Sequence, residues 1–444
     1  MNRKQLLELR RIVERNICPP EDFAPGKTKI PLSVPTYGVE EVLESIDSLL
    51  RCNVTMGKKV QEFEESFSKY IGTKNAIMVN SGSSANLVAL STLTSPHIRR
   101  RIKPGDEIIT PALTWATTVF PIANIGAIPV LVDVDLADFT LRTASVREAI
   151  CRRTKAILPV HLMGNPCNMR ELMAISQEEG LFLVEDACEA HGAEFEGKRV
   201  GSFGDLATFS FFFSHHISTI EGGMVVTNND IYSDIARSLR AHGWIRERSD
   251  YDRLAADYPS LDGRFLFVTQ GYNVRPTEIQ GAFGLHQIGR LNDFIRIRRE
   301  NAQYWSRELE RHSDFLIFPA KSTPSVFFGY PVTVKSKAPF TREELVNFLE
   351  RKGIETRPIM AGDMTQQPAM SNIRYKVAGS LKNSRIIHSS SFFWGNHHRI
   401  GMSQRKFIAD CVHEFIDQIS GSRIFATALL IFRVTNVSPL LGDS

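Results

Sequence analysis

Short apolar runs alternate with stretches of helical spacing along most of this chain. The runs fall at 76–79, 107–110, 129–132, 156–160, 181–184, 207–211 and 224–227. Residues 84–93, 145–152 and 169–179, which lie between them, repeat their apolar positions at the helical period. Strands separated by helices predict an α/β fold, with a mainly parallel sheet covered on both faces. Upstream, Leu6, Leu9, Ile12 and Val13 predict an amphipathic helix over 3–16, and Pro19-Pro20 opens an extended linker. A long helix over 290–311 leads to strand-like 325–334, helix 342–351 and strand-like 355–359, a smaller α+β unit. The expected division is therefore 1–32 for the helix and linker, 33–290 for a large domain and 291–420 for a small one. The tail 421–444 continues none of these patterns.

Composition narrows the class without choosing a function. Of 444 residues, 43% are hydrophobic and 23% charged, which is ordinary for a soluble globular chain. A net charge of +4 gives no field for nucleic acid unless the cations cluster locally. Arg99-Arg100-Arg101 and Arg296-Ile297-Arg298-Arg299 are short, and read as solvated helix ends or dimer-edge charges. The six cysteines are scattered with no paired spacing, which fits a reducing cytoplasm. No targeting segment is visible, and the apolar run 425–432 is too short to span a bilayer. A cytoplasmic protein without nucleic-acid or membrane partners is expected.

Polar residues interrupt the apolar runs at a few places. Ser81-Gly82-Ser83-Ser84 follows the first run and opens a helix, so free N–H groups and the helix dipole converge on an anion site. Trp115 lies just past the second run, on the side of an open sheet where ligands bind. Asp186 and Glu189 follow the run 181–184, with His191 close behind. The longest interruption is Phe209-Ser210-Phe211-Phe212-Phe213-Ser214-His215-His216-Ile217-Ser218-Thr219-Ile220-Glu221-Gly222-Gly223, which contains no lysine.

These motifs, in this order over roughly 33–420, resemble the sugar aminotransferase family, which uses pyridoxal phosphate (PLP) and has fold type I. The resemblance implies an aspartate aminotransferase-like large domain with a smaller C-terminal one. It assigns the PLP phosphate to Gly82, Ser83, Ser84 and Ser210, the face of the ring to Trp115, and the pyridine nitrogen to Asp186. Glu189 would lie close to the cofactor and His191 would be structural. Asn273, in Gly271-Tyr272-Asn273-Val274-Arg275-Pro276, would reach the site of a partner subunit, so a homodimer is implied. Arg246, Arg357 and the stretch 394–398 would face substrate.

The slot that holds the family's cofactor-binding lysine is His215. An imidazole cannot form an imine with an aldehyde, yet it moves protons near neutral pH. This replacement resembles the sugar 3-dehydratase branch. It implies a catalytic His215, PLP and pyridoxamine phosphate held without a covalent bond, and glutamate as amino donor. The substrate implied is a nucleotide-linked 4-keto-6-deoxyhexose, with the GDP-linked mannose derivative first among them. Another histidine-containing relative carries an iron–sulfur cluster on cysteines. The corresponding loop here, 243–266, has none, so no cluster and no metal is expected. Two alternatives stay open to the sequence: an aminotransferase served by another lysine, and a catalytically silent PLP-binding regulator.

Overall fold

A computed structural model describes residues 3–17, 22–319 and 324–435, with side chains up to 419. Pro19-Pro20 and the end of the tail lie outside the described residues. The remainder of the tail continues helix Met402–Thr435. Among the described residues, no helix is long and apolar enough to cross a membrane.

The larger layer is an eight-stranded sheet. Its spatial order is Asn75–Val79, Gly223–Thr227, Leu206–Ser210, Phe182–Asp186, Thr154–Ile157, Glu107–Pro111, Ile128–Val132 and Lys376–Val377. All strands run parallel except Gly223–Thr227, which is antiparallel to both its neighbours. The exception has a local cause. Strand Leu206–Ser210 is followed by a loop rather than a crossover helix, and a chain returning without a crossover must pair antiparallel. That loop carries His215.

Alternation along the strands sorts side chains to the two faces. Ile77 and Val79 pack with Val88, Leu90 and Ile235 from helices Gly82–Thr92 and Asp230–Arg240. Ala76 and Met78 face the other way, onto Phe63 and Phe67 of helix Lys58–Ile71. Both faces are therefore covered, and the central strands are buried along their length.

A second, antiparallel sheet has the order Leu316–Ile317, Gly329–Val334, Ser391–Gly395 and Thr356–Pro358. Trp305 of helix Leu291–Glu308 sits in its core against Tyr330 and Trp394, at ring distances of 5.2 and 5.6 Å. The chain beyond 291 is not confined to this sheet, since Lys376–Val377 joins the edge of the large one.

One expectation about charge is overturned here. Arg296-Ile297-Arg298-Arg299 is not a uniformly solvated helix end, because Arg298 is 3% exposed. It shares the inward face of its helix with Phe294, Ile295 and Asn301, while Arg296 pairs outward with Glu300.

Candidate active site

The site forms at the C-terminal edge of the large sheet, and its frame rests on close backbone approaches. Ser81 caps helix Gly82–Thr92 by accepting the Ser84 N–H at 3.1 Å. Ser84 Oγ donates in turn to Asn80 at 2.7 Å. The N–H groups of Gly82 and Ser83 head the helix with no intrahelical acceptor in reach. A Cβ at Gly82 would lie 2.4 Å from that of Ser210, so glycine is what lets the serine hydroxyl join the helix N-terminus. At Gly223 a Cβ would lie 2.2 Å from the Ser81 carbonyl. The paired glycine thus draws the end of the His215 loop onto the same turn. Free N–H groups, the hydroxyls of Ser83 and Ser84 nearby and Ser210 make a cradle that fits a phosphate.

Asp186 ends its strand, 4% exposed. Its Oδ2 accepts from Asn86 Nδ2 at 2.9 Å and Thr118 Oγ1 at 2.8 Å. Its Oδ1 accepts from the Cys188 N–H, at 3.2 Å. Asn86 is itself fixed, because Thr208 donates to its Oδ1 at 2.7 Å. One carboxylate oxygen is therefore saturated, and the other keeps capacity for a protonated ring nitrogen. Thr118 is one turn beyond Trp115, whose indole is 54% exposed at the head of helix Ala116–Asn124. Phosphate cradle, carboxylate and exposed indole together fit PLP.

His215 stands in the loop between strands, half-buried. Its ring lies 5.2 Å from Phe328, 6.3 Å from Phe212 and 6.2 Å from His191. The Nδ1 atom is buried without a hydrogen-bond partner. Burial, and then the charge of Arg298, push its pKa down to about 3, so the ring is neutral. The loop is held from outside by Gln287, which accepts the Ser218 N–H at 3.1 Å.

The other expected residues lie around this frame. Glu189 is buried and accepts the Met163 N–H at 2.8 Å; burial pushes its pKa up to about 8. His191 is buried, and neither ring nitrogen has a hydrogen-bond partner among the described residues. Asn273 is exposed and lines a cavity of about 400 Å³ with Trp244, Arg246, Arg275 and Thr55. Arg246 stacks on Trp244 at 4.6 Å. Arg357 is exposed and pairs with Glu355 at 2.8 Å. Among the described residues, Asn273, Arg246 and Arg357 make no hydrogen bond to the cradle, Asp186 or His215. The stretch 394–398 is mostly interior: Asn396 donates to the Arg298 carbonyl and His397 shares a hydrogen bond with the Pro31 carbonyl. Asn86, Thr118 and Arg298 were missed from sequence. The available signal for Asn86 was an amide in an otherwise small and apolar helix.

The chain belongs to the DegT/DnrJ/EryC1/StrS aminotransferase family, whose model matches residues 37–413. It is 37% identical to dTDP-4-dehydro-2,6-dideoxy-D-glucose 3-dehydratase of Saccharopolyspora spinosa, over 90% of this chain and 89% of that protein. It is 36% identical to GDP-4-keto-6-deoxy-D-mannose 3-dehydratase of Yersinia pseudotuberculosis, over 84% of this chain and 95% of that one. Among solved structures it resembles a GDP-4-keto-6-deoxymannose 3-dehydratase with a trapped PLP–glutamate geminal diamine. That match has a TM-score of 0.81 and 35% identity, covering 86% of this chain and 99% of the other. The α/β architecture is that of PLP fold type I.

Proposed function

We propose that this chain is a PLP-dependent sugar-nucleotide 3-dehydratase that removes the C3 hydroxyl of a nucleotide-linked 4-keto-6-deoxyhexose, GDP-4-keto-6-deoxy-D-mannose first among them. The reaction serves dideoxysugar and O-antigen biosynthesis. The observation that carries the reading is His215, an imidazole in the lysine slot of an otherwise complete PLP site. The dehydratases among its relatives support it.

Bound here, PLP would supply an electron sink and, in its pyridoxamine form, an amine for the sugar ketone. This chain supplies position and proton transfer. Gly82, Ser83, Ser84 and Ser210 would hold the phosphate, and Trp115 would cover the ring face. Asp186, oriented by Asn86 and Thr118, keeps the pyridine nitrogen protonated. His215, neutral and with one nitrogen sealed off, accepts a proton on the other and returns it to the leaving hydroxyl. With no amine at position 215, the chain has nothing there to recapture the cofactor.

Asn273 and Arg246 share a cavity apart from this constellation. In this reading that cavity meets a second copy of the chain, and Asn273 completes the partner's phosphate site in a homodimer. Arg246 and Arg357 are its substrate contacts, and the division at 290/291 separates cofactor-binding and small domains. The unpaired cysteines Cys52, Cys151, Cys167, Cys188 and Cys411 suit a cytoplasmic enzyme.

The test is incubation with PLP, glutamate and GDP-, CDP- or dTDP-linked 4-keto-6-deoxyhexoses. Formation of 2-oxoglutarate, ammonia and a sugar lacking its C3 hydroxyl is expected. Nitrogen retained on the sugar would make the protein an aminotransferase, and absence of 2-oxoglutarate would make it a silent binder.

A further inference from the structure

Behind His215 the chain buries a cation that pairs with no carboxylate among the described residues. Arg298 Nη1 donates to the carbonyls of Phe327 at 3.1 Å and Phe328 at 2.9 Å, and to that of Asn396. Its Nε is buried without a partner. Arg240, equally buried, shows the ordinary arrangement, because it pairs with both Glu64 and Glu247. An unpaired interior charge is costly, and burial pulls Arg298 down to about 9.

The titratable groups that feel this cation are histidines. His216 hydrogen-bonds through Nε2 with the Val326 carbonyl at 3.1 Å. His191 lies 5.5 Å from His216 and 6.2 Å from His215. His398 stacks on Phe294, one turn before Arg298, at 4.5 Å. His397 follows the Asn396 carbonyl that Arg298 holds. The titratable groups facing His215 are Arg298 from helix Leu291–Glu308, His191 from the segment after Asp186, and its neighbour His216. Phe212 and Phe328 supply the other walls. Burial first, and then the like charge of Arg298, disfavours the protonated forms of all five histidines.

We propose that Arg298 is a positioning residue for the proton transfer: it clamps the carbonyls of 327 and 328 so that Phe328 seats His215, and its unneutralised charge adds to burial in holding His215 neutral. The base is then free before substrate arrives. A proton that it accepts is held weakly in this surrounding, which favours handing it on to a departing hydroxyl. The inference rests on His215 being the base, and its test is chosen to fail separately.

The full-length protein with PLP is labelled with 15N-histidine and titrated by NMR from pH 8.5 to 5.5, with the His215 signals assigned by their loss in His215→Asn. His215 is expected to stay neutral throughout. A midpoint near the ordinary value of about 6.5 overturns the proposal, whatever sugar the enzyme accepts. Kinetics give the second arm. Arg298→Gln keeps N–H donors for the carbonyls and removes the charge. The acid limb of glutamate-dependent 2-oxoglutarate formation should then move up by about 1 pH unit or more, leaving the rate at pH 8 within a few-fold. Arg298→Lys should leave the limb near the parent's. A Gln variant equally slow at every pH, with its limb unmoved, reduces Arg298 to a structural clamp and overturns the electrostatic role. If the Gln variant does not fold, Arg298→Met takes its place, and an acid limb that it leaves unmoved overturns the electrostatic role.

Discussion

The pocket around Asp186 and the pocket around His215 lie at the same sheet edge and are built in opposite ways. At Asp186 the polar groups are satisfied in layers: Thr208 fixes Asn86, Asn86 and Thr118 fix one carboxylate oxygen, and a backbone N–H meets the other. At His215 the walls are rings, the buried nitrogen has no partner among the described residues, and the charge that acts on it is a cation. The first arrangement suits a group whose charge must not change during the reaction. The second suits a group that must change its proton twice, because a strong hydrogen bond to one form would trap it there. Preorganisation is therefore divided, with electrostatics held rigid at the pyridine nitrogen and left unsettled at the base.

Breaking the unsettled side should cost the most. His215→Asn removes the base, and a positioned general base contributes about 10²- to 10⁴-fold. Rates of 2-oxoglutarate and deoxysugar formation within a few-fold of the parent would remove His215 from its role and turn attention to His216. His215→Lys converts the pocket to one with an amine. Borohydride treatment of that variant with PLP should fix the cofactor to the chain, whereas the parent should yield no adduct by mass spectrometry.

Asp186→Asn attacks the rigid side. Losing a charge-assisted hydrogen bond is worth roughly 1.5–3 kcal/mol, about one to two decades in rate, while PLP binding measured by absorbance should largely survive. Thr118→Val leaves the carboxylate but removes one of its donors. The same carboxylate oxygen keeps its bond from Asn86, so the net loss should be about 1 kcal/mol, roughly fivefold in turnover, and an unchanged rate would show that Asn86 alone orients Asp186.

The smallest effect belongs to the buried Glu189. Its folded-state pKa, about 8, lies above the ordinary carboxyl value. Its stabilising contribution is thus complete below the ordinary carboxyl range and lost as pH rises towards about 8. Glu189→Gln keeps an acceptor for the Met163 N–H and should flatten that decline. Melting temperatures from pH 5 to 8 should differ in slope between the two proteins, and parallel curves would mean that Glu189 ionises freely in the fold.

Much of this was legible in order of residues alone. The helices 169–179 and 342–351 were read to the residue, because apolar period and flanking polar caps are local. The strands were found to within a few residues, since buried parallel strands are continuous apolar runs. His215 stood out because a single residue type broke a motif, and the chemistry of an amine against an imidazole needs no coordinates. What tertiary structure alone decided is which groups share a surrounding. Asn86 and Asp186 are a hundred residues apart in sequence and 2.9 Å apart in space. Arg298 read as a solvated charge because its neighbours in sequence are charged. It is buried because one face of its helix meets carbonyls from 327, 328 and 396. Period and propensity act over a few residues, whereas burial and unpaired charge are set by chain segments that meet only on folding.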